Sequence, residues 1–211
     1  MTTSTPAQGR TEQARTIATK DAFLDTAERL FAADGVAATA VTEVVEAADR
    51  SIGSLYHHFT NKDGLVAAVV GRLLDELERG VDEGIRPERW AGASIVDIVT
   101  GYVEGSLQTS TGRPGYKRIL VEVSFVDPDV EARYRDARRR LDAGLVDLLL
   151  ARRDEIGHPR PELAARFAID QLTSMLAARL EAATPTQLDT ASDDEFATQA
   201  IESVVAHLRL D

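Results

Sequence analysis

Residues 23–65 read FLDTAERLFAADGVAATAVTEVVEAADRSIGSLYHHFTNKDGL. The order of apolar, capping and turn residues in this stretch decides the fold. Phe23, Ala27, Leu30 and Phe31 stand at i, i+4, i+7 and i+8, which is one face of an α-helix. That spacing predicts a helix from Thr16 to Ala33, stopped by a C-cap at Asp34-Gly35. Val41, Val44, Val45 and Ala48 repeat the helical spacing over a short second helix, with Thr39 as its expected N-cap. After a break at Asp49-Arg50, Ser51 caps a third short helix, SIGSLYHHF. Thr60-Asn61 with Asp63 then opens a fourth, from Lys62 to about Glu83. Two short helices joined by a tight turn have the size of a helix-turn-helix, whose second helix lies in the DNA major groove.

Two-helix corners are common, so the chemistry of the third helix has to carry the argument. At about 100° per residue, Ile52, Leu55 and Phe59 share one face, and Arg50, Gly53, Ser54 and His57 lie opposite. The outward face is small and polar. Small side chains let a helix backbone approach base edges, Ser54 can donate or accept a hydrogen bond, and Tyr56 and His57 can reach flanking phosphates. Lys62 adds a cation at the start of the next helix. An ordinary solvated helix face is the competing reading.

Beyond Arg86-Pro87 the segments lengthen: 94–109, 114–125, 128–156, 161–183 and 193–210, separated by Gly and Pro breaks. No Val/Ile/Thr-rich alternating run stands between them. The chain reads as all-α, about nine helices, with a three-helix helix-turn-helix domain joined to a larger C-terminal helical bundle. The expected divisions are a flexible arm over 1–15, a DNA-binding domain over 16–65, and a ligand-binding and dimerisation domain over 66–211.

Composition agrees with this and narrows the chemistry. A chain of 211 residues with 44% hydrophobic and 28% charged residues can bury a core. With no cysteine, disulfides, thiolate metal sites and cysteine nucleophiles are excluded. The opening MTTSTPAQGR has no apolar signal core, and LVAAVV at 65–70 is too short to span a bilayer, so a cytoplasmic chain with no membrane association is expected. The net charge of −11, and six cations against nine anions in residues 1–65, exclude an indiscriminate nucleic-acid binder. DNA contact has to come from a positioned set: Arg50, Tyr56, His57 and Lys62, with Arg10 and Arg15 of the arm read as ordinary solvated positions.

The 23–65 stretch resembles the DNA-binding domain of the tetracycline-repressor-like (TetR) family of bacterial regulators. The likeness rests on AERLF with Gly35 four residues after Phe31, on Thr39, on GSLYHHF at 53–59 and on NKDGL at 61–65. It implies a dimeric one-component repressor that binds a double-stranded operator and is released by a small-molecule effector. By position, Thr42, Tyr56 and Lys62 match phosphate-holding sites, and Ile52, Gly53, Ser54 and His57 match the groove-facing set. Leu55, Phe59, Phe31 and Val44 match core, and His58 is read as packing at the helix edge. One departure lies in the turn, where the family's Ala-Gly-Val-Ser pattern is replaced by Ala48-Asp49-Arg50-Ser51. Asp tolerates the left-handed conformation that Gly serves. Arg50 has to snorkel outward, where it can supply a phosphate contact.

The last two segments correspond in order to the helices that pair in the family's dimer. Leu163, Phe167, Ile169, Leu172, Met175, Leu176 and Leu180 make a stripe broad enough for a core and a partner. An effector cavity is expected among the middle helices, with Tyr102, Tyr116, Glu122, Phe125, Gln171 and Met175 as candidates. The helix from Lys62 to Glu83 is the expected lever between the two sites. No catalytic constellation, metal site or cofactor motif is found. A di-iron bundle would need Glu-x-x-His twice, and only Glu155-Ile156-Gly157-His158 fits, ended by Gly157 and Pro159. The alternative is a helical protein of the same fold that binds a small molecule or a protein partner without recognising DNA.

Overall fold

The computed structural model describes residues 6–181 and 190–210. Among these, nine α-helices follow one another: α1 (Pro6–Asp34), α2 (Val41–Ala47), α3 (Ile52–His58), α4 (Lys62–Gly84), α5 (Ile95–Gly112), α6 (Tyr116–Ser124), α7 (Pro128–Leu150), α8 (Pro161–Leu180) and α9 (Asp193–Leu208). Short 3-10 turns at Pro87–Trp90 and Arg153–Glu155 complete the order, and the described residues include no strand. The chain divides into two compact units, Met1–Leu73 and Leu74–Asp211. The division falls inside α4, eight residues past the boundary expected from sequence, because the first two turns of that helix contribute Leu65, Val69 and Val70 to the buried core.

In the first unit the stripe of α1 does what its spacing demands. Phe23, Ala27 and Phe31 are buried together with Val44, Leu55, Phe59 and Leu65. Each large apolar group withdrawn this way stabilises by roughly 1.5–3 kcal/mol. Phe23 meets Phe59 edge to face at 6.3 Å. Gly35, at φ 90°, closes α1 while its N–H bonds the Phe31 carbonyl at 2.9 Å, as a C-cap glycine should. Two expectations change here. α1 begins at Pro6, ten residues earlier than the apolar stripe indicates, because proline suits a first helical position and the Ala, Gln and Glu that follow are good helix formers. The arm expected over 1–15 is therefore helical from Pro6, and residues 1–5 lie outside the described residues. Thr39 is not the cap of α2. It is buried and its hydroxyl donates back to the Gly35 carbonyl at 2.8 Å, while Ala40 takes the cap position and its N–H donates to Glu43 Oε2 at 2.6 Å.

In the second unit α5 is the central helix and packs on α7, α8 and α9, while α6 packs on α7. Ile98, Val99 and Val103 of α5 meet Leu145 and Leu149 of α7, Ile169, Leu172 and Leu176 of α8, and Phe196, Ala200 and Val204 of α9 in one core. Capping boxes start α5 and α9. Asp97 N–H donates to Ser94 Oγ (3.1 Å) and Ser94 N–H to Asp97 Oδ2 (2.8 Å); Ser192 and Glu195 repeat the arrangement. These hydrogen bonds hold the Asp97 and Glu195 carboxyls below the usual carboxylate range.

Candidate functional site

The turn between α2 and α3 explains how the chain presents α3. Asp49 sits at φ 51°, the left-handed conformation that glycine ordinarily fills. Arg50 is exposed, and its guanidinium turns back to donate to the Asp49 carbonyl at 2.8 Å. The charged replacement thus lies outside the core. Ser51 caps α3 by accepting from Ser54 N–H at 3.1 Å.

α3 is anchored by Leu55 and, just beyond its end, by Phe59, both buried. Its other side faces outward. Tyr56 is 52% exposed, His57 and Gly53 are exposed and Ser54 is half-buried. A Cβ at Gly53 would meet nothing within 4 Å, so the outward surface of α3 is open there. Ile52, which helical geometry put on the face of Leu55 and Phe59, is 43% exposed and leaves that face, because it stands at the first position of the helix, short of the core. Thr42 is exposed on α2. Lys62 is half-buried and donates from Nζ to the Ala37 carbonyl at 3.1 Å, tying the α1–α2 loop to the start of α4. Asn61 caps α4 by accepting from Gly64 N–H at 2.8 Å. His58 packs at the helix edge against Phe23 (6.3 Å) and His57 (5.2 Å). Burial first, then the neighbouring His57 and Lys20, pulls its pKa down. Arg15 is exposed, whereas the Arg10 side chain lies outside what is described.

The second unit holds a cavity of about 320 Å³ walled by α4, α5, α6 and α7. Tyr102 and Tyr116 line it, as do Trp90, Lys117, Arg113 and Glu76. Gly101 makes room for the indole: a Cβ there would stand 2.7 Å from Trp90 Cη2. The indole is fixed by its Nε1–H donating to the Gly84 carbonyl at 2.7 Å. Arg113 pairs with Glu76 and lies 5.8 Å over the Tyr116 ring. Burial pushes the Tyr116 hydroxyl up to about 12 and raises Tyr102 as well, so both phenols stay protonated near neutrality. Burial pulls Lys117 down, against the attraction of Glu181. Glu181 itself is bonded to Arg138 at 2.8 Å.

The other four candidate ligand residues do not line this cavity. Phe125 is 83% exposed because it follows the last turn of α6, past the reach of the core. Gln171 donates to Ser203 Oγ at 2.8 Å, joining α8 to α9. Met175 packs on the core cluster. Glu122 is half-buried on α6, outside the cavity wall. Sequence reasoning passed over Trp90, Arg113 and Lys117. The available signal was weak: Lys117 is one of three lysines in an arginine-rich chain, and α6 also carries Arg118 and Glu122. Among the described residues no group of three or more His, Asp or Glu stands together as a metal site, and no helix is long and apolar enough to cross a membrane.

Known proteins match the same segment that carries this geometry. Residues 23–69 fit the family model of bacterial regulatory proteins, tetR family. Over 55 residues, 26% of this chain and 27% of the relative, the sequence is 44% identical to the HTH-type transcriptional repressor KstR2 of Rhodococcus jostii. The match thus spans about a quarter of that relative's length. Over 144 residues, 67% of this chain and 69% of the relative, it is 26% identical to the HTH-type transcriptional repressor AcnR of Corynebacterium efficiens. A tetR-family bacterial regulatory protein from Rhodococcus RHA1 shares the fold with TM-score 0.66 and 19% identity, covering 92% of this chain and 98% of that one. The likeness to the tetR family model is thus confined to residues 23–69, and the likeness in fold to the Rhodococcus protein extends over nearly all of the chain.

Proposed function

We propose that the protein is a DNA-binding transcriptional regulator, a homodimeric repressor that leaves a near-palindromic operator when a small effector enters the C-terminal unit. The observation that carries this reading is α3 itself: Gly53, Ser54, Tyr56 and His57 face outward on a helix anchored by Leu55 and Phe59, with Thr42, Arg50 and Lys62 around it. Tyr56, Thr42, Arg50 and Lys62 take phosphates and set the register, while Ile52, Gly53, Ser54 and His57 meet base edges. Lys62 spends one N–H on Ala37 and keeps two for phosphate. Dimerisation is supported by Leu163 and Phe167, one turn apart on α8 and 49% and 59% exposed, with the His207 ring of α9 tilted against Phe167 at 5.3 Å. The cavity among α4 to α7 suits the effector. A hundredfold loss of operator affinity needs about 2.7 kcal/mol of preference by the effector for the released state.

A gel shift on the chain's own upstream intergenic DNA tests the reading. Retardation of that fragment, and not of an unrelated one, is the expected result. A purified, folded dimer that shifts no upstream DNA at low salt would favour a ligand-binding or partner-binding protein without DNA recognition, the role that the net charge of −11 fits better.

A further inference from the structure

The polar groups around the cavity of the second unit are unequally satisfied. Glu76 is held by Arg113, and the Trp90 indole N–H is spent on the Gly84 carbonyl. Arg89 stands exposed with its guanidinium 5.2 Å over the Trp90 ring, and Glu83 is exposed on α4. Lys117 differs from all of these. It lines the cavity, its side chain is half-buried, desolvation pulls its pKa down, and among the described residues it makes neither a hydrogen bond nor an ion pair. A partly desolvated ammonium without a partner is stabilised by a counter-ion. The nearest carboxylate influence, Glu181, is already bonded to Arg138. Two protonated phenols, Tyr102 and Tyr116, stand on the same wall. Tyr102 is hydrogen-bonded to Ser106, Thr109 stands beside them on the wall, and Leu77, Val81, Leu141 and the Trp90 ring make its apolar part.

We propose that this cavity takes an amphipathic organic anion, a single carboxylate on an apolar body, with the Lys117 ammonium as its counter-ion. The inference rests on the reading of the C-terminal unit as an effector-binding domain and adds the chemical class of the effector. The volume of about 320 Å³ stands at the small end of ordinary ligand cavities, ~300–1,000 Å³, which fits a medium-length acyl chain or a one-ring acid better than a large polycyclic. The carboxylate accepts charge-assisted hydrogen bonds from Lys117, and the apolar body lies along Leu77, Val81 and the indole.

Trp90 is the single tryptophan of the chain, so its emission reports on the cavity. The full-length protein is titrated with decanoate and 4-cyclohexylbutanoate, and with the corresponding primary amides and amines, below their aggregation limits. Calorimetry runs in parallel. At least one acid is expected to bind with a Kd at least tenfold below those of its amide and amine. Lys117→Met should remove that preference while keeping amide affinity within about twofold, and Lys117→Arg should restore it. Retained helical circular dichroism checks that Lys117→Met folds. Equal binding of acid and amide, a preference that survives Lys117→Met, or a panel in which nothing binds each overturns the anion assignment. The upstream-DNA gel shift is run on the same preparations, so the two readings fail separately. A protein that retards DNA but treats acid and amide alike loses only the anion. One that prefers the acid through Lys117 but retards no DNA loses only the regulator.

Discussion

Asp49 shows how one residue shapes the turn that presents the outward face of α3. At φ 51° a side chain is strained unless it is short and polar, and aspartate is among the few that tolerate the position. Asp49→Gly should leave stability nearly unchanged, whereas Asp49→Val should cost about 1–2 kcal/mol in urea unfolding, because a β-branched side chain crowds the backbone there. Equal stability of the two variants would show that the turn relaxes. At the neighbouring contacts, phosphate and base readout separate by experiment. Tyr56→Ala and Lys62→Ala should weaken binding to all operator variants alike, and Ser54→Ala should change the preferred base. Removing a phosphate contact lowers the magnitude of the slope of log affinity against log salt by roughly one. An unchanged slope for Lys62→Ala would leave Lys62 with only its bond to Ala37. The sequence pattern specified the turn and the exposed face of α3. It misplaced the cap of α2, because Thr39 and Ala40 differ by one position and the buried Thr39 hydroxyl found the Gly35 carbonyl first.

α3 is only seven residues long, too short to persist by helix propensity alone. It depends on its Ser51 cap and on burying Leu55 and Phe59. Ser51→Ala should therefore lower stability by about 1 kcal/mol and weaken operator binding more than an exposed alanine substitution elsewhere. Thermal denaturation and the gel shift read the two effects. In the second unit the corresponding constraint is close packing. Gly101 on α5 leaves room for the Trp90 indole, and Gly144 on α7 does the same for Ile85, whose Cβ would lie 2.6 Å from an added methyl. Gly101→Ala should displace Trp90, shift its emission and cost about 1–3 kcal/mol, the usual range for overpacking. An unaltered emission maximum would mean that the indole does not occupy this wall. Neither contact is visible as a motif, since Gly in a helical run reads only as a weak helix former.

At the scale of the whole chain, the proposed regulator, being acidic, needs a positioned set of groups doubled by symmetry to bind a polyanion. On that proposal two copies of α3 stand about one DNA turn apart, roughly 35 Å, and the operator is a near-palindrome. The exposed pair Leu163 and Phe167 is the surface on which this depends. Phe167→Glu should convert a dimer to a monomer in light scattering at micromolar concentration and reduce operator affinity steeply, because a buried unpaired carboxylate is costly in an apolar interface. A wild-type chain that is already monomeric at that concentration would remove the dimeric reading altogether.

The sequence by itself determined the all-α class, the order of the nine helices among the described residues, the helix-turn-helix with its anchors Leu55 and Phe59, and the left-handed turn at Asp49. These follow from spacing and local hydrogen bonding, which act over a few residues and leave a periodic trace. Only the tertiary structure decided which polar groups share a cavity. Tyr102 and Tyr116 came together with Trp90, Arg113 and Lys117, while Phe125, Gln171 and Met175 went to solvent, to α9 and to the core. The physical reason is that a cavity wall draws side chains from four helices far apart in sequence. A residue in an apolar run carries no local sign of whether its neighbour across the bundle is a core leucine, a partner helix or an empty space.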